Sequence, residues 1–580
     1  MASKQPERPK IWLLPEHDAD LIEKRILSET TSTTYDYSCF ILETDRNFHS
    51  PMSKESDECE IEFGALRPGG ALDLLSLEAF GLLSQYAAVG ILLGVFNALQ
   101  YPLFQNYLHM EGYQTASYSV LITLGWTSKI FFGILSDCLP IFGYKRRPYM
   151  VIGWAICGVC CLVMAISPFP APYYGKPGLK GLDNLTAEQE TFINHKAPTS
   201  ASFFIVMSMA ASLGYVMADV AADAMVVHYA QREPAAIRGR VQTAIYFTRD
   251  SFTMIPMLVV GFCMNDYKYG GQFTWSISPT LVYACLTIPC VIAAYGALIH
   301  VVEEKADHPG IGQYMQNVRD LLKQRVVWQV CAFMFFNGLF FGYDSTLFDP
   351  ISSIWVQVMP LVSTSFSIVS QLFRVVAMFV IGKYALNWDW RAGIAVSSVV
   401  LVVFDTTIKG MAIWNVYRNQ YFQCMLLTLE AIPNAFIFLF SSYLIVEIVQ
   451  VGNEGLVYAL LTTCSNMATP LSIVMAKLVD SFWNATLDDI QIDDTSVRWQ
   501  VTYSYICAAS FKLFSLVFLA LMPRQKAYVH VLRRTGSSST LAGTVVLVIF
   551  ALGYVYNIVN NILSIFQSTS CLRIAGGKGC

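Results

Sequence analysis

The feature that most constrains the fold is the clustering of apolar residues into thirteen blocks, most of them 20 residues or longer. A helix rises about 1.5 Å per residue, so such a block can cross a hydrocarbon core of about 30 Å. Only 14% of the 580 residues are charged, against about 25% in soluble proteins. We therefore predict an all-α polytopic membrane protein. The blocks are 80–104, 116–137, 148–167, 201–227, 241–263, 280–302, 327–345, 351–382, 389–412, 419–448, 455–480, 500–522 and 541–566.

The segment before the first block has a different composition. Residues 1–70 carry eight Lys and Arg against fourteen Asp and Glu, a net charge of −6. Such a segment buries too little apolar surface to offset its ordering entropy, so we predict a disordered acidic cytosolic tail. It lacks the basic start and short apolar core of a cleavable signal peptide. The first span is therefore expected to act as the insertion signal.

Lysine and arginine in the short loops predict the orientation. With a cytosolic N-terminus, the loops facing the cytosol hold sixteen Lys and Arg, and the opposite loops through span 12 hold about six. Two glycosylation acceptor patterns, at Asn184 and Asn484, fall on the opposite side. Asn184 is the better candidate, because Asn484 lies close to span 11. The thirteenth block would place the C-terminus outside the cytosol.

A charged, helix-prone connection divides the first twelve blocks into six and six. We expect an N-terminal bundle at 80–302, a cytosolic linker at 303–326, a C-terminal bundle at 327–522 and an extra helix at 541–566. This is the layout of the major facilitator superfamily, in which two bundles enclose a cavity near the bilayer midplane. The predicted fold class is therefore a major facilitator-like 6+6 arrangement with a thirteenth transmembrane helix.

The loop between spans 2 and 3 combines glycines, an acid and a basic cluster. Glycine allows close helix approach and tight turns, and an acid can meet a cation or a helix terminus when the cytosolic side closes. We interpret the set as a conformational motif. The alternative is that its cations only obey the positive-inside rule. The motif residues are Gly133, Asp137, Gly143, Arg146 and Arg147.

Two stretches carry a resemblance to a known family. The first is GWTSKIFFGILSDCLPIFGYKRRPYMVIGW at 125–154, and the second is ADVAADAMVVHYAQREPAAIRGRVQTAIYFTRD at 218–250. Together they resemble the folate–biopterin transporter family of the major facilitator superfamily. The resemblance implies transport of folates, pterins or a related small organic anion, with protons as the expected coupling ion. We predict no cofactor, and we expect a monomer.

Five charged residues lie within predicted spans, where charge is costly and usually faces a cavity or a partner. They are Lys129, Asp219, Asp223, Arg249 and Arg374. Asp219 and Asp223 are four residues apart, so they share one face of span 4. Lys129, Asp219 and Arg249 are expected at a similar depth. Asp223 lies nearer the cytosol, where we expect a role in gating more than direct contact with a substrate or a proton.

Two interpretations of these charges remain open. In the first, Lys129, Asp219 and Arg249 neutralise one another and brace the bundle. In the second, a cation contacts an anionic substrate while an aspartate carries a coupling proton. Arg374 has no opposite charge in its own span, so it is the strongest candidate for binding a substrate carboxylate. Asp405 and Glu430 are also intramembrane acids, but their place near the outer part of a span makes them weaker candidates.

Other chemistry has little support in the sequence. Cys157 and Cys160 have a metal-like spacing, but they lie inside span 3 without a second pair, so packing thiols are favoured and no metal is predicted. Phosphate-binding and metalloprotease motifs are absent from the sequence, and nothing in it suggests nucleic-acid binding.

We therefore expect a secondary transporter rather than an enzyme, in the plasma membrane or alternatively in an organelle membrane. A carrier of another small metabolite and a non-transporting receptor or scaffold remain alternatives.

Overall fold

The computed structural model describes the chain from residue 64 to residue 565, with gaps, together with residues 569 and 572. The gaps are 111, 180–185, 272, 306–310, 450–453, 481, 484 and 486. The predicted tail up to residue 63 and the glycosylation candidate Asn184 lie outside the described residues. Within the described ranges the chain forms helices, loops and three isolated bridge pairs, but no strand. Ten helical segments are long and apolar enough to span a membrane. The prediction of an all-α polytopic membrane protein is confirmed.

The spans before the linker contain seven helices. They are α1 (Leu77–Ala98), α2 (Gly112–Thr127), α3 (Lys129–Cys138), α4 (Arg147–Ile166), α5 (Ser202–Gln231), α6 (Arg240–Cys263) and α7 (Pro279–Ile299). A π-helical segment, Gln100–Tyr107, continues α1, and α2 and α3 together form the second span. Two of these helices have a serine as the N-cap residue. The hydroxyls of Ser76 and Ser278 accept hydrogen bonds from the backbone N–H groups of Ala79 and Leu281.

The linker and the second set of spans contain ten labelled helices. They are α8 (Ile311–Lys323), α9 (Arg325–Phe341), α10 (Pro360–Tyr384), α11 (Trp390–Ile413), α12 (Gln420–Leu429), α13 (Ala431–Ile448), α14 (Glu454–Asp480), α15 (Thr495–Phe514), α16 (Lys526–Thr535) and α17 (Thr540–Ile565). A 3₁₀ segment, Ser515–Leu521, extends α15. The helix α17 occupies the thirteenth predicted block, and its role as a membrane span stays a prediction.

The predicted tenth span is not one continuous helix. It divides at Glu430 into α12 and α13, which is a difference from the sequence expectation. Pro433 explains the division, because it has no backbone N–H and its ring would clash with the carbonyl four residues earlier. The break leaves the carboxyl group of Glu430 inside the membrane-spanning region.

Small residues bring the helices close together. A Cβ atom on Gly153 of α4 would lie 2.6 Å from the carbonyl oxygen of Gly214 on α5, and one on Gly90 of α1 would lie 2.2 Å from the carbonyl oxygen of Arg249 on α6. Neither position therefore accommodates a side chain without backbone movement. Such contacts hold membrane helices together by close packing, since lipid gives no hydrophobic force between them.

Two helix pairs form the most extensive contacts between the first set of spans and the second. The helix α6 packs along α10, and α3 packs along α14. At the second contact, a Cβ on Gly133 would lie 2.7 Å from the carbonyl oxygen of Gly455. The helix α17 packs against both α2 and α14, so it lies across the same seam. We refer to the two sets of spans as the halves; their exact boundaries stay a prediction.

Candidate functional site

The first charged group lies where α3 meets α5. The Nζ atom of Lys129 lies 2.5 Å from Asp219 Oδ2 and 2.8 Å from Asp223 Oδ2. The hydroxyl of Tyr86 donates to Asp223 at 2.6 Å, and the Lys129 ammonium lies 4.7 Å from the Trp126 ring centroid. The three charged side chains are at most 5% exposed. Buried charges need such pairing, because desolvation is otherwise not compensated. Lys129 therefore neutralises one of the two carboxylates.

The second charged group joins the two halves through a residue that the sequence analysis missed. Asp250 Oδ1 lies 3.2 Å from Arg249 Nε, and its Oδ2 lies 2.6 Å from Arg374 Nε on α10. The expected pairing of Arg249 with Asp219 is not found; its partner is the neighbouring Asp250. The guanidinium carbons of Arg249 and Arg374 lie 5.3 Å and 5.1 Å from the Phe438 ring. The sequence contained a signal for Asp250. An acid next to a cation within an apolar span is costly, so its presence indicates a charged partner or a function.

Both arginines keep hydrogen-bonding capacity. Each uses Nε toward Asp250, and among the described residues no hydrogen bond is found to their Nη atoms. The Arg374 side chain is 24% exposed, although it lies within a span. A guanidinium presents its donors in a planar fork that matches a carboxylate. The arrangement can therefore bind an anion.

Aromatic side chains surround the two charged groups. The hydroxyls of Tyr246 on α6 and Tyr458 on α14 lie 2.6 Å apart and connect the halves. The indole N–H of Trp126 donates to Tyr215 at 3.2 Å. Rings of this kind offer faces for stacking a planar ligand and polar groups that fix its orientation.

The charges of the two groups balance. We call these six residues the central charges: Lys129, Arg249, Arg374, Asp219, Asp223 and Asp250. When all are ionised, three positive charges meet three negative charges. An additional anion would leave one uncompensated negative charge, unless an aspartate takes up a proton.

The conformational motif lies at the end of the molecule formed by the loops after α3, α5 and α13, which we call the inner end. Asp137 forms an ion pair with Arg146. Its other oxygen accepts hydrogen bonds from the backbone N–H of Leu456 at 2.8 Å and from the hydroxyl of Tyr314 at 3.1 Å. Arg146 also lies 3.5 Å from Glu454 at the start of α14. The motif thus attaches the first half to the second.

The remaining motif residues shape this loop. Gly143 has φ +84°, a conformation that glycine adopts at little cost, while Gly133 provides the close contact with Gly455. The backbone N–H groups of residues 145–147 all donate to the carboxylate of Glu303, at 2.8 to 2.9 Å. Arg147 begins α4 and donates to the backbone carbonyl of residue 298. The loop is therefore also fixed to the end of its own half and to the first residue of the linker.

A second set of contacts closes the inner end beside the motif. Arg238, in the loop after α5, forms an ion pair of 2.8 Å with Glu447 on α13. His530 on α16 lies 3.0 Å from the same carboxylate. The side-chain amide of Gln242 donates to the carbonyl of Ser442 at 3.0 Å. Together with the Asp137 contacts, these interactions form what we call the inner gate.

Lys526, at the start of α16 beside the inner gate, has a lowered pKa. Burial lowers the pKa of Lys526 to about 8, although Glu447 acts in the opposite direction. The ammonium donates to the carbonyl of Ala235 at 2.9 Å and lies 3.3 Å from Asn387 Oδ1. Because the folded-state pKa is below the usual value of about 10.4, the cost of burying the charge falls as the pH rises above 8.

Part of the predicted tail also reaches the inner gate. Residues 64–72, which we call the N-terminal strap, run along the end of α5. The backbone N–H of Arg67 donates to the carbonyl of Gln231 at 3.1 Å, and its side chain lies 2.8 Å from His228 Nδ1. Arg67 also forms an ion pair with Glu454 in the second half. Residues 64–70, expected to be disordered, are therefore held across the seam.

A further group of charges lies within the second half. Lys409 pairs with Asp405 at 2.7 Å and with Asp344 at 3.0 Å, and Lys512 lies 3.1 Å from Asp405. Glu430 is near this group, and its buried Oε1 atom has no hydrogen-bond partner among the described residues. Asp405 and Glu430 were weaker candidates in the sequence because of their place near the outer part of a span, and the pairing of Asp405 with the two lysines was not predicted.

The remaining predicted features lie elsewhere. Cys157 and Cys160 are buried without a disulfide, and within the described ranges no group of three His, Cys, Asp or Glu residues is placed to hold a metal ion. A cavity of about 540 Å³ lies between α11 and α13, lined by residues that include Trp388, Val396 and Phe436. It contains none of the central charges, so we do not place a substrate there.

Comparison with known proteins supports the expected relationship. The model of the BT1 family matches residues 90–171, which include the whole conformational motif. A probable folate-biopterin transporter 4 of Arabidopsis thaliana is 28% identical over 143 residues, which are 25% of this chain and 24% of that protein. A folate-biopterin transporter of Synechocystis is 21% identical over 461 residues, which are 77% of this chain and 82% of that protein. The resemblance to the folate–biopterin transporter family is confirmed.

A solved structure supports the fold. A proton:xylose symporter of the major facilitator superfamily, bound to 6-bromo-6-deoxy-D-glucose, aligns with a TM-score of 0.52 at 12% identity. The alignment covers 79% of this chain and 99% of the symporter. At this identity the likeness concerns the fold alone. The predicted major facilitator fold is thus confirmed.

Proposed function

We propose that the protein is a secondary active transporter of a folate, a pterin or a related small organic anion, and that it works by alternating access. The observation that carries the proposal is the arginine pair Arg249 and Arg374, whose Nη donors have no hydrogen-bond partner in the part of the chain that the structure describes. The pair lies among aromatic rings where the halves meet. The names of the relatives supply the substrate class. A pteridine with a carboxylate would use both features, stacking on rings while the carboxylate meets Arg374.

The charge balance supports coupling to protons. Asp219 and Asp223 share one lysine, so one of these carboxylates is not neutralised when both are ionised. Asp250 leaves one net positive charge on the arginine pair, so the six central charges are neutral together, and entry of a substrate anion gives them one net negative charge. Uptake of one proton by Asp219 or Asp223 restores neutrality, and low dielectric surroundings favour that outcome. We therefore propose symport of one proton with each monoanionic substrate.

The inner gate supports alternating access. Its ion pairs connect both halves at the inner end, so a substrate at the central charges reaches that side only after these pairs separate. Such rocking of two halves around a fixed site is the usual mode of transporters built this way. We propose that the protein acts as a monomer in the plasma membrane, with an organelle membrane as the alternative.

A ligand panel on the purified protein tests the proposal. We expect pteridines with a carboxylate to raise the unfolding temperature, because ligands that bind only the folded state stabilise it. Arg374→Ala should weaken this binding by about 100-fold or more, as expected when a charged hydrogen-bonded partner of about 3 kcal/mol is lost. The matched control is Arg498→Ala, which removes another ion-paired arginine, at Asp493, away from the central charges.

Three outcomes would contradict the proposal. If Arg374→Ala binds like the wild type, the anion contact is wrong. If pteridines bind but no flux occurs in proteoliposomes, the protein is a receptor or scaffold with this fold. Stabilisation by a different metabolite alone would instead indicate a major facilitator carrier with another substrate.

A further inference from the structure

Asp250 occupies a position that a ligand carboxylate would otherwise take. It lies between two arginines and accepts one hydrogen bond from each Nε, while both Nη groups of each arginine stay free of partners among the described residues. Its side chain is 6% exposed, so the charge is buried and held in place. A carboxylate from the protein itself therefore fills part of an anion-binding site.

The position of Asp250 also spans the seam. Asp250 belongs to α6, and Arg374 belongs to α10. The side-chain amide of Gln371, one turn before Arg374, donates to the backbone carbonyl of Asp250 at 3.1 Å. This second contact fixes the register of α10 against α6, so that the two charged side chains meet.

We infer that Asp250 determines the charge of the ligand that the arginine pair accepts. The two guanidinium groups carry two positive charges, and Asp250 compensates one of them. The remaining single positive charge matches one anionic group of a ligand. Without the Asp250 charge, the pair would carry two uncompensated charges and would favour a dianionic group. Specificity arises here because the protein places a like charge beside the ligand.

The inference rests on the proposed function, since it assigns selectivity to the same site. Its experimental probes are pteroate and folate, which share the pteridine and aminobenzoate groups but carry one and two carboxylates. The measured quantity is the ratio of their dissociation constants for the full-length purified protein at constant pH and low salt, because salt screens charge effects.

The expected result is a change in that ratio. Asp250→Asn keeps the size of the side chain and removes its charge, so we expect the preference for folate over pteroate to rise about tenfold, which equals about 1.4 kcal/mol. Asp250→Glu, which retains the charge, should keep the ratio of the wild type. If Asp250 only stabilised the fold, Asp250→Asn would weaken the binding of both ligands equally.

The chain contains a closely matched control. Asp493 also lies between two arginines, with Arg418 Nη1 at 2.6 Å and Arg498 Nε at 2.9 Å, but it lies in the loop before α15. Asp493→Asn therefore removes the charge of an aspartate that also has two arginine partners, but at a place away from Arg249 and Arg374. We expect this variant to leave the ratio unchanged, and an equal shift in both variants would overturn the inference.

Failure of the inference and failure of the proposed function can be distinguished. An unchanged ratio in Asp250→Asn, with strong loss of binding in Arg374→Ala, overturns the inference and supports the function. If the wild type binds neither compound, the proposed substrate class is wrong. The inference is then tested without a ligand, by a double-mutant cycle that measures the coupling between Asp250 and Arg374. Asp250→Asn and Arg374→Gln should then shift the unfolding temperature non-additively, whereas additive shifts would overturn the inference as well.

Discussion

At the scale of single residues, the central charges are arranged so that no cation lies without a carboxylate. Lys129 forms ion pairs with two aspartates of one helix, and Asp250 forms ion pairs with two arginines from different halves. The sequence allowed the pairing of Lys129 with Asp219 to be predicted from their similar depth, but it placed Arg249 in that group and assigned Asp223 a gating role. The second group could not be predicted from the sequence. Helix neighbours such as Arg249 and Asp250 do not normally face each other, and Arg374 lies more than 100 residues further along the chain.

The first prediction concerns Lys129. Lys129→Met should destabilise the protein by about 3–5 kcal/mol, because it leaves two buried carboxylates without a cation. Adding Asp219→Asn and Asp223→Asn should restore much of that loss, since no uncompensated charge then remains. Reversible unfolding in detergent micelles measures both effects. A triple variant that is no more stable than Lys129→Met would show that ion pairing is not what Lys129 contributes.

At the scale of helices, most spans follow from apolar length, and the exceptions have local causes. The tenth span divides at Glu430 because of Pro433, and a pattern of apolar residues cannot show such a break. The ordered strap could not be predicted from composition either. Its polar groups find partners that lie far away in the sequence, among them Gln231, Arg238 and Glu454.

The second prediction concerns the N-terminal strap. Arg67→Ala should open the inner gate more often, because the ion pair with Glu454 across the seam is lost. A cysteine introduced at Tyr458 should then react faster with a membrane-impermeant maleimide added from the inner side, by roughly fivefold for a contact of about 1 kcal/mol. Arg319→Ala, on an exposed face of the linker helix, is the control. Equal labelling rates in both variants would show that the strap does not stabilise the gate.

At the scale of the whole molecule, the fold could be predicted from the six-plus-six order of spans and the motif between spans 2 and 3. The site could be predicted only in part, since its arginine pair is brought together across the seam by the packing of α6 against α10. The inner gate and the central charges share two helices of the first half: α3 carries both Asp137 and Lys129, and α6 carries both Gln242 and Asp250. Substrate binding and gate opening are therefore mechanically connected in this proposal.

The central claim is that a monoanionic substrate moves together with one proton through a charge-balanced site. The most direct measurement is uptake of labelled pteroate into proteoliposomes that contain the purified protein, driven only by an acidic exterior, with the membrane potential clamped at zero. The account predicts concentrative uptake that changes little when the clamp is set to other potentials, because the proton compensates the substrate charge. It also predicts loss of the pH dependence in the Asp219→Asn, Asp223→Asn double variant, with exchange of internal for external pteroate retained. Uptake that follows the membrane potential but not the pH gradient would contradict the account.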